Sequence, residues 1–160
     1  QLVRAMVPEA PCPMVLDADA LTALAEHREL LKSAKHPPVL TPHPGEMARL
    51  CHCSTQEVLQ RRLELAGEFS EQFGVILVLK GHRTVIAAPD GRLAVNSSGN
   101  PAMASGGMGD ALTGIIAGFM GQGLAPFEAA CLGVFVHGAA ADRHIAHVAS
   151  RGFTSAAVRP

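Results

Sequence analysis

The chain has 160 residues, a length typical of a single domain. Hydrophobic residues make up 48% of it and charged residues 17%, a composition that fits a compact α/β protein and argues against disorder. Lys and Arg together number 13 and Asp and Glu 14, so the net charge is −1, and the chain contains neither Trp nor Tyr. Because it lacks a basic field and aromatic platforms for stacking bases, the composition indicates neither nucleic-acid binding nor attachment to a membrane.

The cysteines indicate a reducing compartment. The four of them form no CxxC motif, so we interpret them as free thiols of a cytoplasmic protein rather than as a disulfide framework. The tripeptide Cys51-His52-Cys53 could suggest a metal clip, but its spacing is tighter than that of common zinc ligand pairs and no fourth ligand is evident. We therefore expect no metal site there.

Short apolar runs alternate with amphipathic segments along the chain. The runs predict strands over 14–16, 39–41 and 75–79, and a hairpin formed by 84–88 and 92–96. The segments between them predict helices over 18–32, from 44 onward, over 54–73, over 110–120 and over 126–147. Ser54 and Glu57 match a capping box at the start of the third of these helices. Strands that alternate with helices indicate an α/β fold with a mostly parallel central sheet and helices on both faces.

The segment from Asn96 to Asp110, NSSGNPAMASGGMGD, carries the strongest chemical signal. Gly106, Gly107 and Gly109 directly precede a predicted helix. Successive glycines let backbone N–H groups converge, and the unpaired N–H groups of a first helical turn attract anions. The segment therefore predicts a phosphoryl-binding site. It is neither a P-loop, since no GKS or GKT follows, nor a GxGxxG dinucleotide fingerprint.

Asp110 needs a function of its own, because its carboxylate would repel a phosphate bound beside it. A base that takes the proton of an attacking hydroxyl is one such function. Asp is also a favoured helix N-cap, so a purely capping role stays open as the alternative.

Four stretches resemble, in order and approximate spacing, the NAD(P)H-hydrate dehydratases of the ribokinase-like superfamily. They are VLDADAL from Val15 to Leu21, TPHPGEM from Thr41 to Met47, Lys80-Gly81 followed by Thr84, and GGMGD from Gly106 to Asp110. The resemblance covers about Val15 to Asp142 and implies a ribokinase-like fold. Members of the family carry a further segment before the first stretch. We therefore expect residues 1–160 to form one domain that is truncated at its N-terminus and lacks the first strands of the sheet.

The resemblance also implies an activity. Members of the family dehydrate hydrated NADH and NADPH (NADHX and NADPHX), with ADP or ATP as co-substrate and Mg²⁺ as the metal. Phosphoryl transfer to the C6 hydroxyl of the hydrate followed by loss of phosphate explains the use of a nucleotide, since phosphate is a better leaving group than hydroxide. By this analogy the protein is a cytoplasmic hydro-lyase that repairs nicotinamide nucleotides.

Residues of the glycine-rich segment receive the catalytic roles that the resemblance implies. Asp110 is implied as the base that contacts the substrate hydroxyl, and Gly107, Met108 and Gly109 as donors of backbone N–H groups to the transferring phosphoryl group. Asn100 is implied as a substrate contact, with bracing of the glycine loop as its alternative.

The remaining implied roles follow the three earlier stretches. His43 and Asp17 are implied as substrate contacts, and Glu46 is implied to order Mg²⁺-bound water. Each also has a structural alternative, such as a strand-end turn for Asp17 or a first-turn carboxylate for Glu46. The implied nucleotide-binding segment comprises Lys80, Gly81, His82, Arg83 and Thr84. On the last helix we interpret His137 and Asp142 as structural or solvent-facing.

Two other functions stay open at this point. One is a ribokinase-like kinase of a small alcohol such as a vitamin precursor, and the other is a nucleotide-binding fragment without catalysis. The sequence does not choose between ADP and ATP or between the two hydrates. It also leaves open a homo-oligomer and an NAD(P)HX epimerase as a fused domain or a partner.

Overall fold

Five short strands form one sheet in a computed structural model that describes residues 2–147 of the chain. The strands are β1 Val15–Leu16, β2 Val39–Leu40, β3 Ile76–Leu79, β4 Val85–Ala87 and β5 Leu93–Val95, and they lie in the order β1-β2-β3-β4-β5. The pairs β1–β2 and β2–β3 are parallel, whereas β3–β4 and β4–β5 are antiparallel. Helical segments connect the strands of the parallel pairs, whereas short loops connect the strands of the antiparallel pairs. The predicted hairpin, β4 and β5, therefore adds two antiparallel pairings to the parallel part of the sheet that the sequence predicts.

The helices of the described residues follow most of the predicted segments. They are α1 Leu2–Glu9, α2 Asp19–Ala25, α3 Pro44–Cys51, α4 Thr55–Gln60, α5 Arg62–Phe73, α6 Met108–Gly121 and α7 Pro126–His147, with 3₁₀-helices at Arg28–Ser33 and Pro101–Met103. None of them combines the length and the hydrophobicity that a membrane crossing requires.

Two predicted helices are each divided in the structure. The segment predicted over 18–32 stops at Ala25 and resumes as a 3₁₀-helix. The segment predicted over 54–73 breaks at Arg61, whose φ of −120° and ψ of 33° are not helical. Ser54 caps Glu57 N at 3.1 Å as predicted, but the Glu57 carboxylate pairs with Arg61 instead of closing a capping box. The Glu57 carboxylate therefore pairs with the residue at the break, and only the Ser54 half of the predicted capping box is present.

The core lies on both faces of the sheet, as expected for an α/β fold. Side chains alternate along β3, so Leu77 and Leu79 pack on one face with residues of α2, α3 and α5. Ile76 and Val78 pack on the other face with α6 and α7. All four side chains of the strand are buried, which explains why its sequence is apolar throughout.

Helices α6 and α7 approach each other closely at Gly133. A Cβ atom added there would lie 2.7 Å from Ile116 Cγ1, too short for any ordinary contact. Gly114, in contrast, has no atom within 4 Å of such a Cβ. The two glycines thus occupy helices of the same packed pair but only one is required by packing.

We expect Gly133→Ala to lower the free energy of unfolding by about 1–3 kcal/mol, because the new methyl group overpacks the contact with Ile116. The matched change Gly114→Ala should raise it by about 0.5–1 kcal/mol, since alanine favours a helix interior where space is open. Urea denaturation of both variants measures the difference. Equal effects of the two changes would contradict the assigned packing.

His137 is buried in α7, and its Nε2 atom has no hydrogen-bond partner among residues 2–147. Burial lowers the pKa of this imidazole below its ordinary value of 6.5, because the charged form loses hydration. The structural role expected from the sequence is thus confirmed, although the degree of burial was not foreseen.

The lowered pKa gives His137 a defined effect on stability. Above pH 6.5 the imidazole is neutral in both states and contributes no pH dependence. Below that pH the unfolded chain binds the proton first, so stability should fall as the pH decreases, by at most about 1.4 kcal/mol per pH unit from this group. His137→Gln should flatten that part of a stability curve measured by denaturation between about pH 7 and pH 5. Parallel curves for the two proteins would refute the assignment.

Candidate active site

The carboxyl ends of the three parallel strands bring together side chains that are distant in sequence. Asp17 follows β1, His43 follows β2 and Lys80 follows β3. Lys80 Nζ lies 2.7 Å from Asp17 Oδ1 and 3.9 Å from Glu46 Oε2. The ammonium group is therefore held between two carboxylates at the edge where ligands of parallel sheets bind.

The N-terminus of α6 lies directly over this pair. Thr113 Oγ1 donates a hydrogen bond to Asp17 Oδ2 at 3.3 Å. A Cβ atom on Gly109 would lie 3.2 Å from Asp17 Oδ2 and 3.4 Å from Lys80 Nζ. The absence of a side chain at Gly109 lets the helix backbone approach the two charges without displacing them. The first turn of α6, where backbone N–H groups lack partners within the helix, is thereby placed beside the strand ends.

Asp110 does not cap α6. The N-cap is Gly107, whose φ of 83° lies in the left-handed region, and it makes no side-chain cap. Asp110 is the third residue of the helix and is exposed to solvent. The capping alternative for Asp110 is therefore wrong.

His43 and Glu46 form a reciprocal cap at the start of α3. The His43 Nδ1 atom accepts hydrogen bonds from Gly45 N at 3.0 Å and Glu46 N at 3.3 Å, and the Glu46 Oε2 atom accepts from His43 N at 2.7 Å. Since Nδ1 accepts, the neutral ring carries its proton on Nε2, which lies 3.4 Å from Glu46 Oε1. The Glu46 side chain is buried, whereas that of His43 is half exposed. Both residues thus have structural partners and still face the site.

The turn between Asp17 and α2 is strained. Ala18 has φ 47° and ψ −114°, close to the first central position of a type II′ turn, where glycine is favoured. Asp17 O accepts from Ala20 N at 3.0 Å and closes the turn. Such a conformation costs about 1–3 kcal/mol for a residue with a Cβ atom. The turn fixes the direction in which the chain runs from Asp17, at the end of β1, into α2.

Arg62 holds the loop that follows β3. Its guanidinium donates to His82 O at 2.6 Å, to Leu79 O at 3.1 Å and to Lys80 O at 3.4 Å. A Cβ atom on Gly81, where φ is 137°, would lie 3.2 Å from Arg62 Nη2. Burial lowers the pKa of Arg62, because only carbonyl groups compensate its charge. The sequence pattern gave no signal for this residue.

The rest of the predicted nucleotide segment is accessible. Gly81, His82 and Arg83 are exposed, and Arg83 adopts a left-handed φ of 54°. Thr84 Oγ1 donates to Gly81 O at 3.0 Å and closes the loop on itself.

Asp142 of α7 anchors the glycine-rich segment. Its two carboxylate oxygens accept hydrogen bonds from Gly99 N and Asn100 Nδ2, each at 2.8 Å. Asn100 Oδ1 in turn accepts from Ala102 N at 3.1 Å, so both polar ends of the Asn100 side chain are engaged. A Cβ atom on Gly138 would collide with Ser98, which shows how closely the segment lies on α7. The geometry favours bracing as the role of Asn100.

The described residues contain no group of three side chains arranged to hold a metal ion. Burial, with Cys53 as a further cause, raises the pKa of the Cys51 thiol to about 11, so it stays protonated at neutral pH.

The chain matches known proteins over most of its length. A family profile described as NAD(P)H-hydrate dehydratase matches residues 2–158. The chain is 52% identical over 141 residues to the bifunctional NAD(P)H-hydrate repair enzyme of Moorella thermoacetica, covering 88% of this chain and 27% of that protein.

Two solved structures are similar in fold. The ADP/ATP-dependent NAD(P)H-hydrate dehydratase of Bacillus subtilis, co-crystallised with ATP and Mg²⁺, matches with a TM-score of 0.80 and 37% identity over 93% of this chain and 52% of that one. A ribokinase-like superfamily protein of Enterococcus faecalis matches with a TM-score of 0.79 and 31% identity over 92% and 51%. The expected ribokinase-like fold is confirmed. The chain spans between about a quarter and a half of the length of these relatives.

We expect Asp17→Asn to lower the free energy of unfolding by about 1–3 kcal/mol, because Lys80 loses the charge that compensates it in a largely buried position. Asp19→Asn, an exposed first-turn residue two positions further, serves as the control and should cost less than about 1 kcal/mol. Chemical denaturation of both variants measures the difference. Equal losses would mean that the Asp17–Lys80 pair contributes nothing specific.

Proposed function

The chain belongs to the NAD(P)H-hydrate dehydratase family, and on that premise we propose that it carries the phosphoryl-transfer site of an enzyme that dehydrates NADHX and NADPHX with ADP or ATP. The observation that carries the proposal is the position of the α6 N-terminus over the strand ends, with Gly109 against Asp17 and Lys80. A helix terminus of the kind that binds anions thus lies close to the Lys80 ammonium group. Asp110 is an exposed carboxylate in the first turn of the same helix.

In the proposed reaction Asp110 takes the proton of the C6 hydroxyl of the hydrate. The hydroxyl oxygen then attacks the terminal phosphorus of the nucleotide, and the bond between that phosphorus and its bridging oxygen breaks, which releases AMP from ADP or ADP from ATP. Cleavage of the C6–O bond expels phosphate, and loss of the C5 proton restores the double bond of the dihydronicotinamide ring. Phosphorylation is useful because it converts hydroxide into a better leaving group.

The helix terminus stabilises the charge of the phosphoryl group in this proposal. Gly107 is the N-cap of α6, and Met108 and Gly109 begin its first turn, where the helix dipole is positive. The N–H group of Met108 donates a long hydrogen bond to Ser105 O at 3.4 Å, which a phosphoryl oxygen would replace in this proposal. Such donors are already oriented before the reaction and need no reorganisation as charge develops. The exposed position of Asp110 lets a substrate hydroxyl reach its carboxylate without displacing a helix cap.

Lys80 is proposed to contribute only part of its positive charge to binding the phosphates of the nucleotide. In the structure its ammonium group is neutralised by Asp17, with Glu46 nearby, so phosphate oxygens would have to share it. The loop of Gly81, His82, Arg83 and Thr84 is exposed beside it and is proposed to contact the rest of the nucleotide. His43 and Asp17 are proposed to face the hydrated nicotinamide, and Asn100 to position the glycine segment.

Magnesium fits the site as an ion carried by the nucleotide. Mg²⁺ keeps several of its waters and is commonly held by one or two carboxylates together with substrate phosphates, so a dedicated cluster of ligands is not needed. Glu46 Oε1, the less tightly engaged oxygen of that carboxylate, is the proposed acceptor for a water of the hydrated ion. The ion would supply positive charge next to the transferring phosphoryl group. The bifunctional relative supports the further proposal that an epimerase accompanies this activity as a fused domain or a partner.

We expect Asp110→Asn to reduce turnover by about 10²–10⁴-fold, the usual loss when a general base is removed, while the fold and nucleotide binding persist. The assay follows recovery of the near-ultraviolet absorbance of reduced nicotinamide from hydrated NADH with ADP or ATP and Mg²⁺, in the longest natural protein that contains these residues. Asp90→Asn, in the turn between β4 and β5, is a matched control that should turn over normally.

Three outcomes distinguish the possibilities. Near-normal turnover by the Asp110 variant would remove the catalytic assignment. A phosphorylated product that accumulates without dehydration would identify a kinase instead. Nucleotide binding without any turnover in the unmodified protein would favour a non-catalytic form.

A further inference from the structure

The guanidinium group of Arg62 forms no ion pair with a carboxylate among residues 2–147. Its neighbour Arg61, in contrast, pairs with Glu57 and Glu64. The Nε atom of Arg62 is buried and has no hydrogen-bond partner in the same part of the chain. Stability alone does not explain such a residue, because a charged group that loses water without a counter-charge is unfavourable.

Helix α5 is attached to the sheet by its apolar side chains. Ala66, Phe69 and Phe73 are buried in the cluster that also contains Leu77 and Leu79 of β3. The side chain of the first residue of the helix, Arg62, extends instead to the end of β3 and the loop that follows it. The apolar contacts hold the helix, so the contacts of this arginine act on the loop.

All three acceptors of the Arg62 guanidinium are backbone carbonyl groups. It donates to His82 O at 2.6 Å, to Leu79 O at 3.1 Å and to Lys80 O at 3.4 Å. A guanidinium group carries its N–H donors in a planar fork and can engage several acceptors at once, whereas an ammonium group is a compact point charge. Arg62 therefore sets the orientation of three peptide groups.

The first of these peptide groups shows what the orientation does. In a trans peptide the C=O and N–H groups point in opposite directions, and the described chain contains no cis peptide bond. Leu79 O faces Arg62, and the N–H group of the same peptide, that of Lys80, donates in the other direction to Pro42 O at 2.8 Å.

The next two N–H groups that follow this rule have no acceptor. Because Lys80 O and His82 O face Arg62, the N–H groups of Gly81 and Arg83 point away from it. Neither N–H group donates a hydrogen bond within residues 2–147, and both residues are exposed. Backbone N–H groups that point together out of a turn form a concave site for anions.

Gly81 is the residue that lets the guanidinium approach. A Cβ atom on Gly81 would lie 3.2 Å from Arg62 Nη2, and its φ of 137° is one that glycine adopts readily and other residues rarely do. A side chain at this position would crowd the guanidinium away from the carbonyl groups of the loop. The glycine that follows Lys80 is therefore explained by the contact with Arg62.

The turn lies next to the proposed phosphoryl site. Gly81 directly follows Lys80, whose Nζ atom would lie 3.4 Å from a Cβ atom on Gly109 of α6. The charge of Lys80 is already neutralised by Asp17, so phosphate oxygens need further donors. Arg62 has no such carboxylate partner and adds positive charge behind the turn.

We propose that Arg62 is a positioning residue of the nucleotide site, which holds residues 80–83 so that the N–H groups of Gly81 and Arg83 bind phosphate oxygens of the nucleotide. The proposal rests on the proposed function and assigns part of the nucleotide affinity to a side chain that does not itself touch the nucleotide. The peptide dipoles carry the effect, because their carbonyl ends face the guanidinium and their N–H ends face the anion.

Two neighbouring arginines give a matched test in the full-length natural protein. Arg62→Lys keeps the charge but loses the planar fork, so binding of ADP with Mg²⁺, measured by titration calorimetry, should weaken by about tenfold or more. Arg61→Lys changes only exposed ion pairs and should bind ADP as the unmodified protein does. Circular dichroism checks that both variants are folded.

Adenosine separates the phosphates from the rest of the nucleotide. It shares the base and the ribose with ADP but has no phosphate group, so its affinity should be the same in both variants and in the unmodified protein. An unchanged ADP affinity of Arg62→Lys would overturn the proposal. An equal loss of ADP affinity in both variants, or an equal loss for adenosine and ADP, would do so as well.

Turnover distinguishes positioning from a general loss of structure. Arg62→Lys should raise the KM for ADP and leave the KM for the hydrate unchanged, because the lost interaction belongs to the nucleotide alone. A rise of both KM values would contradict this role. If the unmodified protein turns over the hydrate and Arg62→Lys has the same KM for ADP, only the role of Arg62 fails. If the unmodified protein binds no nucleotide, the proposed function fails with it.

Hydrogen exchange tests the loop without any substitution. Exposed N–H groups that lack an acceptor exchange rapidly, and a bound phosphate should protect them. In the unmodified protein, brief deuterium labelling followed by mass spectrometry should show slower exchange within residues 81–83 when ADP and Mg²⁺ are bound, but not when adenosine is bound. Exchange in this segment that is the same with and without saturating ADP would rule out the proposed phosphate contacts.

Discussion

The ion pair between Asp17 and Lys80 organises the carboxyl edge of the sheet. It joins the end of β1 to the end of β3 across β2, and both side chains are mostly removed from water. A charge in such a position is tolerated only when its partners are in place. Thr113 supplies a further partner, because its hydroxyl donates a hydrogen bond to Asp17 Oδ2. The ends of two strands and the beginning of α6 are thus joined by one carboxylate.

Close approach of backbone to these charges explains where glycine is required. At Gly109 the backbone of α6 lies against Asp17 and Lys80, and at Gly81 the loop after β3 lies against Arg62. In both places a side chain would occupy the space through which the N–H groups or carbonyl groups act. The carboxylate of Asp142, on α7, holds the glycine-rich segment through hydrogen bonds from Gly99 N and Asn100 Nδ2. The position of the segment is therefore set by a residue outside it.

The sequence by itself determined the elements whose signals are local. The apolar run of β3, the Ser54 cap and the start of α3 at Pro44 depend on a few consecutive residues, and each lies where it was predicted. The helix after the glycine-rich segment begins two residues earlier than predicted, at Met108, and includes Gly109. Family membership followed from the same short motifs. Only the tertiary structure decided that Lys80 is shared between carboxylates, that Arg62 and Asp142 brace the two loops, and that Asp110 does not cap its helix. These features join residues tens of positions apart, and a contact at that distance is set by how the helices pack on the sheet, which no local pattern records.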